Sequence, residues 1–226
     1  MARSSTANAN ADAGAADDAN AVAFQAPSLI AGAAARHRIR APHSRRTDLM
    51  DAAERLFLAK GVSATSVDDI TTEAQVAKGT FYLYFDSREA MLSALQERFI
   101  MGFCERVNQA MGRHRAGNWE ARLRTWFKTA LDALLGQVML HDMLFHDVRP
   151  GDREIMKDNP VIVQLASLLR DGSKAGVWRV ADAHSLAIMM FHAMHGLADE
   201  AVTRGTADKR GRIVRLLADT FAGALR

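Results

Sequence analysis

From Ser44 onward the apolar positions of this chain recur three and four residues apart, the period of an amphipathic helix. Leu49, Ala53, Leu56 and Phe57 form one such face, and Gly61 ends it. Ser66 is placed to cap a short second helix through Val67, Ile70 and Ala74, with Asp69 three residues on. A tight break at Gln75–Ala77 precedes a third helix from Lys78 to about Phe85. A longer one begins after Asp86–Ser87 and runs to about Gly112. Trp119 to Leu140 carries the stripe Leu123, Phe127, Ala130, Leu131 and Leu134, and His141 to Val148 extends it or forms a short helix. Asn159 is placed to cap a helix opening on Pro160 and closing at Gly176, and Asp182 one that ends near Arg204–Gly205. A last helix bears Ile213, Leu216, Leu217, Phe221 and Leu225.

Composition agrees with an all-α chain: four Pro, two Tyr, eleven Met and 49% hydrophobic residues in 226. Residues 1–43 lack a sustained apolar period and read as a mostly disordered extension with a basic end. One cysteine, Cys104, excludes an internal disulfide framework and a multi-cysteine zinc site, and it reads as buried packing. The uncharged run from Ser185 to Ala198 is too short to cross a bilayer, and no segment reads as a secretion signal. The expectation is a cytoplasmic protein with no membrane partner.

A formal net charge of +3 is a weak sign of nucleic acid, but its distribution says more. No acid lies between Ala19 and Thr47, and Arg36, Arg38, Arg40, Arg45 and Arg46 cluster at the end of that stretch. Just beyond this basic arm come two short helices separated by a tight turn, the form of a helix-turn-helix at about 70–89. The second helix reads Lys78-Gly79-Thr80-Phe81-Tyr82-Leu83-Tyr84-Phe85. Phe81 and Phe85, four apart, pack inward and leave Tyr82 and Tyr84 to point elsewhere. Lys78 and Gly79 give a small, cationic start that phosphate can approach.

At these residues a family resemblance becomes specific. The run from Arg46 through Glu97 resembles the DNA-binding domain of the TetR family of bacterial transcriptional regulators. The matching pieces are Ala53-x-x-Leu56-Phe57, Lys60-Gly61, Thr65-Ser66-Val67-x-x-Ile70, Ala74-x-Val76-Ala77-Lys78-Gly79-Thr80-Phe81-Tyr82-x-Tyr84-Phe85 and Ser87-Arg88-Glu89-x-x-Leu92. Three positions depart from the usual pattern. Gln75 stands where glycine is common, Ala77 where serine often caps the recognition helix, and Arg88 where lysine is usual. The resemblance implies DNA contacts from Thr65 or Ser66, Thr71 or Thr72, Lys78, Gly79, Thr80, Tyr82, Tyr84 and Arg88, with Arg45 and Arg46 reaching phosphate. The basic arm before them is a candidate for the minor groove.

It also implies a domain order: an extension over 1–43, a DNA-binding domain over 44–90, and a helical ligand-binding and dimerisation domain over 91–226. The last two helices, about 182–204 and 208–225, would pair two copies into a homodimer on a palindromic operator. Trp126, Met139, Met143, Phe145, His146, Trp178, Met190, His192, Met194 and His195 are the candidates to line a pocket for a small, apolar effector. His192, His195 and Asp199 share one helix side, and Asp142 and His146 are four apart on another. A metal, a haem or a polar ligand, or mere hydrogen bonding between faces, are the open readings there; no metal and no cofactor is assigned. No phosphate loop, nucleophile elbow or nucleotide fingerprint supports an enzyme. The expected function is a dimeric repressor released from double-stranded DNA by a ligand. The alternatives are a ligand-independent or architectural helix-turn-helix protein, and a transcriptional activator.

Overall fold

The structure, a computed structural model, describes residues 42–145 and 159–226. The expected extension before Pro42, with Arg36, Arg38 and Arg40, lies outside the described residues. Helix α1 spans Pro42–Lys60 and starts two residues before Ser44, with proline at the first helical position, where no intrahelical N–H is needed. Leu49, Ala53 and Phe57 are buried along it, and Gly61, at φ 87°, turns the chain out of the helix in a backbone conformation that side chains disfavour. Helices α2 (Val67–Glu73) and α3 (Lys78–Tyr82) follow, then α4 (Arg88–Gly112).

These helices enclose a first core. Ile70 of α2 and Phe81 of α3 are fully buried there, with Phe85 beside them, against Leu49 and Phe57 of α1 and Met91 and Leu95 of α4. Burying each such side chain stabilises the fold by roughly 1.5–3 kcal/mol. Arg98 of α4 reaches two carboxylates of α1, Asp51 and Glu54, each at 2.6 Å, and fixes the crossing of the two helices.

A second core lies further along α4, around Phe103, Cys104 and Val107. Helix α5 (Trp119–Gly136) supplies its centre, with Trp126, Phe127 and Leu131 fully buried. The chain then breaks: Gln137 leaves the helical region at φ −136°, and a separate α6 spans Val138–Phe145. The apolar stripe alone predicts one helix from Trp119 to Leu140, because it continues across a backbone break that Gly136 makes inexpensive. Helices α7 (Pro160–Lys174), α8 (Ala183–Thr203) and α9 (Arg210–Ala224) complete the body. Asn159 and Asp182 accept the first N–H groups of α7 and α8, as their positions in the sequence predict. Phe221 of α9 stacks on Phe127 at 5.9 Å, and Arg179 N–H donates to Leu225 O, pinning the last turn to the body.

The boundary expected between residues 90 and 91 falls inside α4, which runs unbroken through both cores. At 1.5 Å per residue its length is roughly 37 Å. It is a wall common to the two parts.

At the C-terminal end of α7, Gly172 lies under the indole of Trp178, so a Cβ there would come 2.2 Å from the ring. Gly172→Ala is therefore expected to destabilise the body by about 1–3 kcal/mol. A thermal melt lowered by roughly 2–4 °C per kcal/mol checks it, and an unchanged melt counts against this packing.

Candidate DNA-binding surface and internal cavity

The helix-turn-helix is assembled by local chemistry. Ser66 Oγ accepts from Asp69 N–H at 3.1 Å and Asp69 Oδ2 accepts from Ser66 N–H at 2.8 Å, a complete capping box on α2. Those bonds and Lys60, whose Nζ is 2.8 Å away, hold the Asp69 carboxyl well below the usual carboxylate range, Lys60 contributing most. In the turn, Gln75 adopts φ 56°, the left-handed conformation that glycine would take at lower cost. Ala77 gives α3 no side-chain cap. The turn is closed instead by Val76 N–H on Thr71 O at 2.9 Å and by Ile70, Phe81 and Phe85 beneath it.

With Phe81 and Phe85 inward, α3 presents Lys78, Gly79 and Tyr82 to solvent, Tyr82 being 53% exposed. Thr80 and Tyr84 are half-buried beside them, and Ser66 and Thr72 of α2 are exposed. Lys78 Nζ sits 2.8 Å from Asp68 Oδ1, and this contact raises its pKa. Arg45 and Arg46 are half-buried at the start of α1, and the Arg46 guanidinium lies 5.3 Å from the centre of the Phe85 ring.

Three expected DNA contacts turn inward. Thr65 is fully buried with its hydroxyl on Gly61 O at 2.8 Å, and Thr71 is buried with its hydroxyl on Val67 O at 3.1 Å. Of each candidate pair, Ser66 and Thr72 are therefore the members at the surface. Arg88 donates from Nη1 to the carbonyls of Val62, Ser63 and Thr65, at 3.2, 3.1 and 2.8 Å. It staples the α1–α2 loop to α4 instead of extending to phosphate, because three buried-side carbonyls outcompete water for its fork of donors.

Between the two cores lies a cavity of about 260 Å³. Helix α4 lines it with Phe99, Ile100 and Phe103, α5 with Ala130 and Leu134, and α6 with His141 and Phe145. Asn159 and Val161 close one side, and Phe191, His192, Met194 and His195 of α8 another. The expected pocket is thus partly corrected. Phe145, His192, Met194 and His195 line the cavity. Trp126 and Met190 are fully buried in the core behind it, and Trp178 packs on Trp119 elsewhere in the body. Met139 is 73% exposed, and Met143 packs against the core of the DNA-binding end. His146 lies outside the described residues.

His141, absent from the expected pocket residues, is the histidine that meets His195, their ring centres 5.6 Å apart. Its signal was its place four residues before Phe145, on the same side of α6. Among the described residues no three His, Cys, Asp or Glu side chains converge to hold a metal ion. None of the described helices is long and apolar enough to cross a membrane. Cys104 is buried, which pushes its thiol pKa up and makes it packing.

Fold and surface together define a helix-turn-helix DNA-binding unit carried on a helical body. Residues 49–95 match the family model described as bacterial regulatory proteins, tetR family, a stretch that holds the helix-turn-helix and the start of α4. Among curated relatives, the HTH-type transcriptional repressor KstR2 of Rhodococcus jostii is 41% identical over 56 residues, 25% of this chain and 28% of that protein. The chain spans less than half the length of the curated relatives it matches. Two solved structures share the fold. A TetR transcription regulator from Haloarcula marismortui has a TM-score of 0.65 at 18% identity, covering 81% of this chain and 98% of its own. The regulator FadR from Bacillus subtilis, in complex with stearoyl-CoA, has a TM-score of 0.63 at 20% identity, covering 76% and 97%.

Arg88 gives a direct test of its assignment. Arg88→Ala is expected to destabilise the chain by about 1–3 kcal/mol, since the loop carbonyls lose a charged donor. Urea denaturation without DNA measures it. A residue that served only to touch phosphate would leave that curve unmoved.

Proposed function

We propose that the protein is a sequence-specific transcriptional repressor that binds a palindromic operator as a homodimer and is released when a small apolar molecule fills the cavity. The observation that carries this reading is the double membership of α4 and α6. Phe99, Ile100 and Phe103 of α4 line the cavity, while Met91 and Leu95 of the same helix stand in the core under α2 and α3. On α6, His141 and Phe145 line the cavity, while Leu144 is buried in that same core. Gln96 of α4 donates to Leu144 O at 2.7 Å and holds the two helices together. A ligand that moves α6 or the middle of α4 therefore moves the seat of the recognition helix. This is a coupling between two sites with a physical connection.

Dimerisation is supported by the outward sides of α8 and α9. Met189 on α8 and Leu216 on α9 are 57% and 55% exposed, large apolar side chains on helices already buried on their other sides. Two-fold pairing there would present two recognition helices about 34–36 Å apart, one helical turn of DNA. The protein would act in the bacterial cytoplasm, on double-stranded DNA.

The test is fluorescence anisotropy on DNA from upstream of the protein's own gene. Sequence-specific, salt-dependent binding is expected. Lys78→Ala should weaken it across sequences and lower the salt slope by about one per recognition helix. The double variant Met189→Asp with Leu216→Asp should sediment as a monomer and lose operator affinity, while keeping its helical spectrum. Binding without sequence preference, or a monomeric wild type with full affinity, would overturn the proposal.

A further inference from the structure

The cavity's polar edge specifies a hydrogen-bonding chemistry. His195 Nδ1 is 3.0 Å from the carbonyl oxygen of Phe191, one turn back on α8. A backbone carbonyl only accepts, so Nδ1 carries the ring proton, and in a neutral imidazole Nε2 is then a bare acceptor. The surroundings of the ring favour its neutral form. Burial lowers its pKa first of all; His141 and His192 nearby act in the same direction, against the Phe191 carbonyl and Asp199. The ring lines the cavity, tilted against Phe191 with ring centres 4.1 Å apart, so with Nδ1 turned back to its own helix Nε2 is the edge left for a ligand.

The remaining lining argues against an anion. Among the described residues around the cavity there is no Lys or Arg, and Asp142, 3.4 Å from His141 Nδ1, adds negative charge nearby. The Asn159 side-chain oxygen is already engaged by Val161 N–H at 2.9 Å. A carboxylate or phosphate entering this space would meet a lone pair at Nε2 and, among the described residues, no fixed cation. At about 260 Å³ the space is also just below the roughly 300–1,000 Å³ of pockets for drug-sized ligands.

We propose that the cavity takes a neutral, compact, hydrophobic molecule bearing a hydroxyl donor, of the phenol or alcohol class, and that His195 Nε2 is the acceptor that reads it. The inference rests on the cavity being the effector site of the proposed repressor. The hydroxyl donates to Nε2, the rings of Phe99, Phe145 and Phe191 cover the apolar part, and discrimination comes from leaving a buried acceptor unpaired when the donor is missing.

Calorimetric titration of the full chain with 4-propylphenol, with its methyl ether, and with hexanoate tests this. The phenol is expected to bind about ten-fold or more tightly than the ether, which has the same shape and no donor. Hexanoate should be weaker still. His195→Phe should bring the phenol-to-ether ratio close to one, with both compounds still bound and the melting temperature retained. His195→Gln, which keeps an acceptor, should preserve the preference. Equal affinity for phenol and ether, a preference for hexanoate, no binding of the phenol at millimolar concentration, or an unchanged ratio in His195→Phe would overturn the inference. Operator binding in the same samples separates it from the repressor reading. Phenol that binds but leaves the DNA complex intact supports the ligand class and sinks release by this ligand. Release by hexanoate alone does the reverse.

Discussion

The rest of the structure depends on α4 being shared. A helix of 25 residues contributes Met91 and Leu95 to one apolar core and Phe103, Cys104 and Val107 to another, with no break between them. Neither core can close without it. The ion pairs from Arg98 to Asp51 and Glu54 fix α1 on its first half, and Arg88 ties the α1–α2 loop to its first turn. Close-packed interiors resist gradual deformation and shift between discrete arrangements. The space beside Phe99 and Phe103 is where that packing is incomplete, and so where a ligand has the most mechanical effect for the least displaced protein.

The surface that would meet DNA is less basic than a simple electrostatic picture demands. Asp68 and Asp69 lie in the first turn of α2, where they favour the helix by capping and by the dipole. The same placement puts Asp68 against Lys78, so phosphate must replace a carboxylate as that lysine's partner. The net charge of +3 hides this compensation. Contacts concentrated on α3 would suit a protein that selects one site among many, since nonspecific affinity is chiefly a phosphate term.

The elements with local causes were legible in the sequence. Ser66, Asn159 and Asp182 cap the helices their positions announce, and Gln75, where glycine is common, takes a left-handed conformation. The expected inward packing of Phe81 and Phe85 follows from spacing alone. Features decided by distant partners were not. Thr65, Thr71 and Arg88 fit a DNA-facing motif by type, yet their hydroxyls and guanidinium are taken up by backbone carbonyls that spacing cannot locate. The break at Gln137 left no mark on the apolar stripe, and it is that break which turns α6 back and brings His141 to His195. Methionine and tryptophan content indicated an adaptable interior but not which side chains border the space. Met190 and Trp126 fill core, and Met139 points to solvent.

Helix α8 shows why its own pattern resisted reading. It is apolar nearly all round because it has three faces to serve. Met190, Ala198 and Ala201 are buried in the body, Phe191, Met194 and His195 border the cavity, and Met189 faces outward. Fewer than two helical turns thus separate the proposed hydroxyl acceptor from Met189 on the proposed dimer face. In the proposed dimer, a ligand held at His195 Nε2 would bear on a rigid element that also sets the spacing of two recognition helices. Release would then have two routes, through α4 and α6 within a subunit and through α8 between subunits, both beginning at the incomplete packing beside Phe99.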